Sequence, residues 1–234
     1  MIKEKIDQYL EFDSKKLFFD PMVRIFGGAV RDSIADEPIN DIDILCGSKS
    51  VKRLNFILQS EGYQFIESLT TKDIASIYTD IHVICEPHTW VKGRKVIQVI
   101  RPAASHILAP QGTTSKDIKS FGIYYQIYQN LIYNVDISCC GVSYDGYHIY
   151  ENYPDAVIHC LTKSFSVNSS AAMYSQKRIQ NRIGKFIDRK WSQIPTTNLG
   201  IRRELAIQQI LESKSLEYIP YEQPSTLDLD SRCI

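Results

Sequence analysis

Val23-Arg-Ile-Phe-Gly27-Gly28-Ala-Val-Arg31-Asp32, followed after residues 33–40 by Asp41-Ile-Asp43-Ile-Leu45, is the stretch from which the fold of this chain can be read. Val23, Ile25 and Phe26 are strand formers. Gly27-Gly28 ends the run, because a residue without Cβ reaches positive φ and lets backbone N–H groups come close to a ligand. Ala29-Val30-Arg31-Asp32 then reads as a helix first turn, whose free N–H groups and positive dipole end suit an anion such as a triphosphate. In Asp41-x-Asp43, residues two apart on a strand share a face, so both carboxylates project together while Ile42 and Ile44 point into a core. Like charges held that close call for a divalent ion between them, and Mg2+ takes one or two carboxylates plus substrate phosphates. A double glycine alone is most often a turn and Asp-x-Asp alone a solvated edge; it is their order and spacing that give strand, phosphate cradle, helix and acidic strand.

Working outward, residues 2–12 carry Ile2, Ile6, Tyr9 and Leu10 at helical spacing, and Val51, Leu54, Ile57 and Leu58 make a second amphipathic helix that stops at Glu61-Gly62. Residues 63–67 read as a short strand, and 73–78 are ambiguous between helix and strand. Residues 82–86 and 96–101 read as two strands joined across 87–95, with Lys92-Gly93-Arg94 as the turn. From 102 to 130 the pattern is irregular and rich in tyrosine, which suits packing better than base stacking. Residues 134–150 read as a hairpin turning at Asp145-Gly146, with Asp136 facing away from its neighbours Val135 and Ile137. Residues 175–191 form a helix on which Arg178, Arg182, Lys185 and Arg189 fall within about 40° of one another beside the apolar stripe Ile179, Ile183, Phe186 and Ile187. Such a ridge is either a solvated face or a set of phosphate contacts. A further helix is expected over 201–213, and then a tail, docked or frayed, with Pro220, Pro224 and Asp228-x-Asp230.

Composition sets bounds. The 234 residues are 44% hydrophobic, enough for a core, and Lys+Arg and Asp+Glu both number 27, so any attraction for nucleic acid has to be local. The six cysteines include no C-x-x-C pair, and no run approaches the roughly 18 apolar residues of a membrane span; reduced thiols in a cytoplasmic protein away from the membrane are expected.

Gly-Gly-x-Val-Arg-Asp followed by Asp-x-Asp resembles the nucleotidyltransferase signature of the DNA polymerase β superfamily, most closely the tRNA CCA-adding and bacterial poly(A) polymerase branch, over residues 26–45 and more loosely over 135–191. The resemblance implies an α+β polymerase β-like fold: a small mixed sheet with helices on one face over residues 1–155, a short helical region over 156–215 and a tail over 216–234. It also implies a transferase that moves a nucleoside monophosphate from an NTP such as ATP to an acceptor hydroxyl, by two Mg2+ ions, with an RNA 3′ end and tRNA processing as the context. Gly27, Gly28, Arg31 and Asp32 would then hold the nucleotide, Asp41 and Asp43 the metals, and Arg178, Arg182, Lys185 and Arg189 the triphosphate or RNA. For Arg31 the structural alternative is a pair with Asp32 that fixes the loop.

A third carboxylate from a neighbouring strand completes such a site. In one alignment Asp136 is that acid, on a strand beside Asp41-x-Asp43. In the other, Asp136 takes the Asp of the family's Arg-Arg-Asp segment, and the third acid falls near Ile97-Gln98-Val99, where Gln98 offers a neutral oxygen and no charge. The first is preferred, since Asp136 between apolar residues otherwise lacks an explanation. The double Arg of that segment is here Asn134-Val135, no Glu-Asp-x-x-Arg motif is present, and there is no length for the long helical body that measures a tRNA. The chain thus looks more like the compact relatives found in phages, large viruses and microbes. A silent nucleotide- or RNA-binding module, and a transferase acting on a protein acceptor as in toxin–antitoxin systems, are the alternatives.

Overall fold

The computed structural model describes residues 2–47, 49–68, 85–102, 135–168, 176–194 and 218–221. The N-terminal stripe forms helix α1 (Ile2–Leu10), with Ile2, Ile6 and Leu10 buried at four-residue intervals. Asp7 accepts from the Ser14 backbone N–H at 2.8 Å and starts a 3-10 turn, Ser14–Lys16, that leads the chain toward the sheet. The deciding stretch then gives strand β1 (Arg24–Phe26), helix α2 (Gly28–Ile34) and strand β2 (Ile42–Leu45). Helix α3 (Val51–Ser60) follows, burying Val51, Leu54 and Leu58. These elements match the expected order.

Strand β3 (Gln64–Ser68) pairs antiparallel with β4 (Cys85–Lys92), which forms a hairpin with β5 (Lys95–Pro102). The hairpin is present, but residues 87–92 are strand rather than connector: Pro87 lies opposite Ile100 and Lys92 opposite Lys95. The turn is therefore the tight Gly93-Arg94 pair.

The expected long hairpin over 134–150 is shorter and broken. Residues 138–140 form a 3-10 turn, and strand pairing starts at β6 (Val142–Tyr144), which runs antiparallel to β7 (Ile149–Glu151) across Asp145-Gly146. Helix α4 (Ala156–Leu161), strand β8 (Ser164–Phe165), helix α5 (Gln176–Asp188) and strand β9 (Ser192–Gln193) follow, and β8 and β9 make a small parallel pair. Within the region expected as a tail, Tyr218–Ile219 is strand β10, parallel to β7. The residues 73–78, the tyrosine-rich segment and the helix expected over 201–213 lie outside the described residues.

The main sheet has the order β10-β7-β6-β1-β2-β5-β4-β3, with parallel pairs β10–β7 and β2–β5 and antiparallel pairs elsewhere, an α+β architecture with a mixed sheet. Ile25, Ile42, Ile44, Ile97 and Val99 are fully buried in one core cluster with the apolar faces of α1, α2 and α3. Each such side chain contributes about 1.5–3 kcal/mol relative to exposure. The same cluster takes Ala156, Val157, Cys160, Phe165, Phe186 and Trp191, so side chains from both sides of residue 155 share one core. On the other face of β2, Leu45 packs with Met22, Phe26 and Ile100. Among the described residues no helix is long and apolar enough to cross a membrane, and Cys46, Cys139, Cys140 and Cys160 are buried thiols.

Candidate active site

Gly27 closes β1 at φ 67°, a conformation that favours glycine, and its N–H donates to the Val142 carbonyl at 2.9 Å. The Gly27 carbonyl accepts from the Arg31 N–H at 3.0 Å, which starts α2. A Cβ placed on Gly28 would stand 3.7 Å from Arg31 Nη2 and 3.8 Å from Asp41 Oδ1. The glycine turn, a guanidinium and the first carboxylate of the acidic pair therefore converge at one point.

Asp41, exposed, directly precedes β2, and Asp43 is half-buried within it. Across the sheet Asp43 lies in register with Phe26 on β1 and with Gln98 on β5, so Gln98 occupies the neighbouring-strand position opposite the second aspartate. The Asp43 Oδ1 atom is shielded from water and makes no hydrogen bond among the described residues. Burial, and after it the charge of Asp41, pushes the Asp43 carboxyl up to about 7, with Arg182 and Arg31 opposing. The Asp43 carboxyl is thus poorly solvated, with the two guanidinium charges only partly offsetting its burial.

Asp136 does not stand on a strand beside β2, whose two partners are β1 and β5. It sits in a bend before Ile137, which makes a single bridge to Val167, and its carbonyl accepts from the Asn168 N–H at 2.9 Å. Its buried carboxylate is paired with Arg182, Oδ2 to Nη1 at 3.2 Å. The physical reason that the strand expected here fails is local. Ser138 Oγ lies 2.6 Å from His159 Nδ1 and accepts from the Ser166 N–H at 2.9 Å, turning the backbone into the 3-10 segment. The residue in register with Asp43 on the neighbouring strand β5 is thus Gln98, and Asp136 is on no strand beside β2. Among the described residues no group of three or more His, Cys, Asp and Glu side chains is arranged to hold a metal ion; the donor set there is the pair Asp41 and Asp43.

Arg31 and Asp32 are drawn into the interior. Arg31 Nε donates to Asp32 Oδ1 at 2.7 Å, Nη1 reaches Cys140 Sγ at 3.3 Å, and the guanidinium lies 4.9 Å from the Phe186 ring centroid. Asp32 also accepts from Arg189 Nη2 at 2.7 Å. The loop-fixing alternative for Arg31 is thus realised, while its Nη2 end still borders Gly28.

The basic ridge on α5 is divided. Arg189 pairs with Asp32 and with Glu37, which also takes the Trp191 indole N–H at 3.1 Å and Lys163 at 3.1 Å. Arg182 pairs with Asp136 and reaches Cys140 Sγ at 3.5 Å. Lys185 is exposed and Arg178 half-buried. Two residues of this neighbourhood escaped the sequence reading. Glu37 gave no signal, as it lies in a connector. Cys140 reads from the sequence only as one of the reduced thiols, yet a hydrogen bond from Cys139 and then the Arg31 and Arg182 guanidinium groups hold its thiol below the usual range, against burial.

No protein-family model and no curated protein matches the chain. Among solved structures it is similar to the Thermotoga maritima CCA-adding enzyme complexed with tRNA, at 14% identity and a TM-score of 0.47, over 90% of this chain and 42% of that one. It is likewise similar to a CCA-adding enzyme with ATP (15%, TM-score 0.46, 81% and 42%) and to the Bacillus stearothermophilus CCA-adding enzyme with CTP (13%, TM-score 0.41, 90% and 46%). The chain spans less than half the length of these solved chains.

Proposed function

We propose that the chain is a Mg2+-dependent nucleotidyltransferase that moves a nucleoside monophosphate from an NTP to an acceptor hydroxyl, with an RNA 3′ end as the acceptor. The observation that carries this reading is the Asp41/Asp43 pair beside the glycine turn, with Asp43 Oδ1 buried and without a hydrogen-bond donor among the described residues. The residues fit a hard divalent cation: two carboxylates, Asp41 just before β2 and Asp43 within it, that feel each other's charge, the second held in a poorly solvated position that a cation would compensate. When bound, Mg2+ offsets charge on the phosphate oxygens and orients them for in-line displacement.

The protein's own part is positioning. Gly28, without a side chain, lets phosphate oxygens approach the backbone, and Arg31 Nη2 borders the same point. Asp41 and Asp43 would hold the cation, and the charge of Arg182, itself paired with Asp136, acts on Asp43 from nearby. The acceptor oxygen forms its bond to the α-phosphorus as the bond to the leaving pyrophosphate breaks, so the site needs geometry and charge neutralisation more than covalent chemistry. RNA as acceptor rests on the sequence resemblance.

Gln98 opposite Asp43 favours a second reading, a nucleotide- or RNA-binding module without turnover. The deciding experiment incubates the protein with each α-labelled NTP, Mg2+ and total RNA, beside the Asp41→Ala/Asp43→Ala variant. Label on RNA from the wild type alone supports the transferase. Label on protein moves the acceptor class, and tight NTP binding with no transferred label supports the silent module.

A further inference from the structure

We infer that the protein carries a second site, a neutral aromatic groove between α3 and the β3–β4 edge of the sheet that binds an unpaired nucleobase. The groove has a volume of about 710 Å3 and is lined by Asn55, Gln59, Gln64, Phe65, His88 and Trp90 among others. That is the size range of small-ligand sites. Trp90 is in register with Ile97 and, through it, with Ile42, whereas Asp43 is in register with Gln98 and, through it, with Thr89. In-register neighbours share a sheet face, so the groove opens on the face opposite the Asp43 carboxylate and is separate from the candidate active site.

Three observations define its chemistry. The described lining carries no Lys, Arg, Asp or Glu, so it does not select for phosphate. Two buried polar atoms of its walls have no hydrogen-bond partner among the described residues: the indole Nε1 of Trp90, a residue only 5% exposed, and Asn55 Oδ1. Asn55 Nδ2 stands 3.3 Å from His88 Nδ1, so the amide's nitrogen end has its partner and the oxygen end is the acceptor left over. A donor and an acceptor in the walls of one groove are the two kinds of group that the mixed edge of a nucleobase pairs with, and buried polar groups without partners favour a ligand that supplies them. Finally, Phe65 is 48% exposed at the rim, with ring centroids 5.3 Å from Trp90 and 5.8 Å from His88, a surface on which a planar ring stacks.

The base can belong to a free nucleoside or to a single-stranded RNA. Both are tested in EDTA, so that nothing depends on a divalent ion: the four nucleosides by calorimetry, and a short fluorophore-labelled single-stranded RNA by anisotropy. The proteins compared are wild type, Phe65→Ala, Trp90→Phe and Asp43→Asn, each checked for folding by circular dichroism. Phe65 is exposed, so its truncation leaves the core intact, and Trp90→Phe keeps the ring while removing the N–H. Binding that falls about tenfold or more in Phe65→Ala and Trp90→Phe but not in Asp43→Asn supports the site. Nucleosides binding alone identify a free base as the ligand, and RNA binding without nucleoside binding identifies a base within a strand. Absence of both, or binding unchanged by Phe65→Ala and Trp90→Phe, overturns it, whatever the NTP-transfer assay gives.

Discussion

Gln98 is the residue on which the chemistry of the site turns. Facing Asp43 across β2 and β5, it supplies a neutral oxygen where a carboxylate would add charge to a metal site. Gln98→Glu is expected to tighten Mn2+ binding about tenfold, roughly 1.4 kcal/mol, and without metal to lower stability by about 0.5–1 kcal/mol through like-charge pairing across the strands. Calorimetric titration and a urea melt in EDTA check the two halves. Glu151, on β7, offers a test that involves neither aspartate. It is buried, accepts from the Val157 and Tyr221 N–H groups, and burial raises its carboxyl above the ordinary 4.5. Between 4.5 and its raised folded value the unfolded chain has lost the proton that the folded one keeps, so this group's contribution makes stability fall as pH rises. Relative to Glu151→Gln, the wild type should lose stability across that window and stay level above it, measured by urea midpoints from acid to neutral pH.

At the scale of elements, the turn that follows α5 is held to α2 and its connector by the Arg189 ion pairs with Asp32 and Glu37. Removing Arg189 leaves Asp32 and Glu37 short of a partner, with Arg31 and Lys163 still present. Arg189→Ala should cost about 2 kcal/mol, less than a fully buried pair because Arg189 is itself part-exposed, while Lys185→Ala in the last turn of α5 should change stability by under about 0.5 kcal/mol. Chemical denaturation distinguishes them. The elements around the glycine turn were legible in the sequence because pattern and backbone agree there: a strand, two glycines, a helix and an alternating acidic strand. The setting of Asp136 was not, since alternation over 134–144 reads as strand while Ser138, tied to His159 and Ser166, bends the chain away. Helix α4, Ala-Val-Ile-His-Cys-Leu, is too short and β-branched for a helical period to stand out. Strand β10 exists through its pairing with β7, which no local pattern announces. In the candidate site the Asp41/Asp43 pair and the turn were readable. The inward pairing of Arg182 and Arg189 was not, because the acids that take them, Asp136, Asp32 and Glu37, are distant in sequence.

For the molecule as a whole, equal numbers of acidic and basic residues and the internal pairing of Arg182 and Arg189 leave little charge for a polyanion. RNA binding should therefore depend weakly on salt, with a log–log slope no steeper than about −2 to −3, read from anisotropy titrations over a range of KCl. Asp41 and Asp43 are proposed to form a cation site for a nucleotide rather than a solvated edge of the sheet. Electron paramagnetic resonance of Mn2+, titrated into the protein with and without ATP, distinguishes the two. Mn2+ binding that ATP strengthens and that Asp43→Asn abolishes in a protein that remains folded is the expected result. Binding that is absent from the wild type even with ATP, or that survives Asp43→Asn unchanged, rules the cation site out.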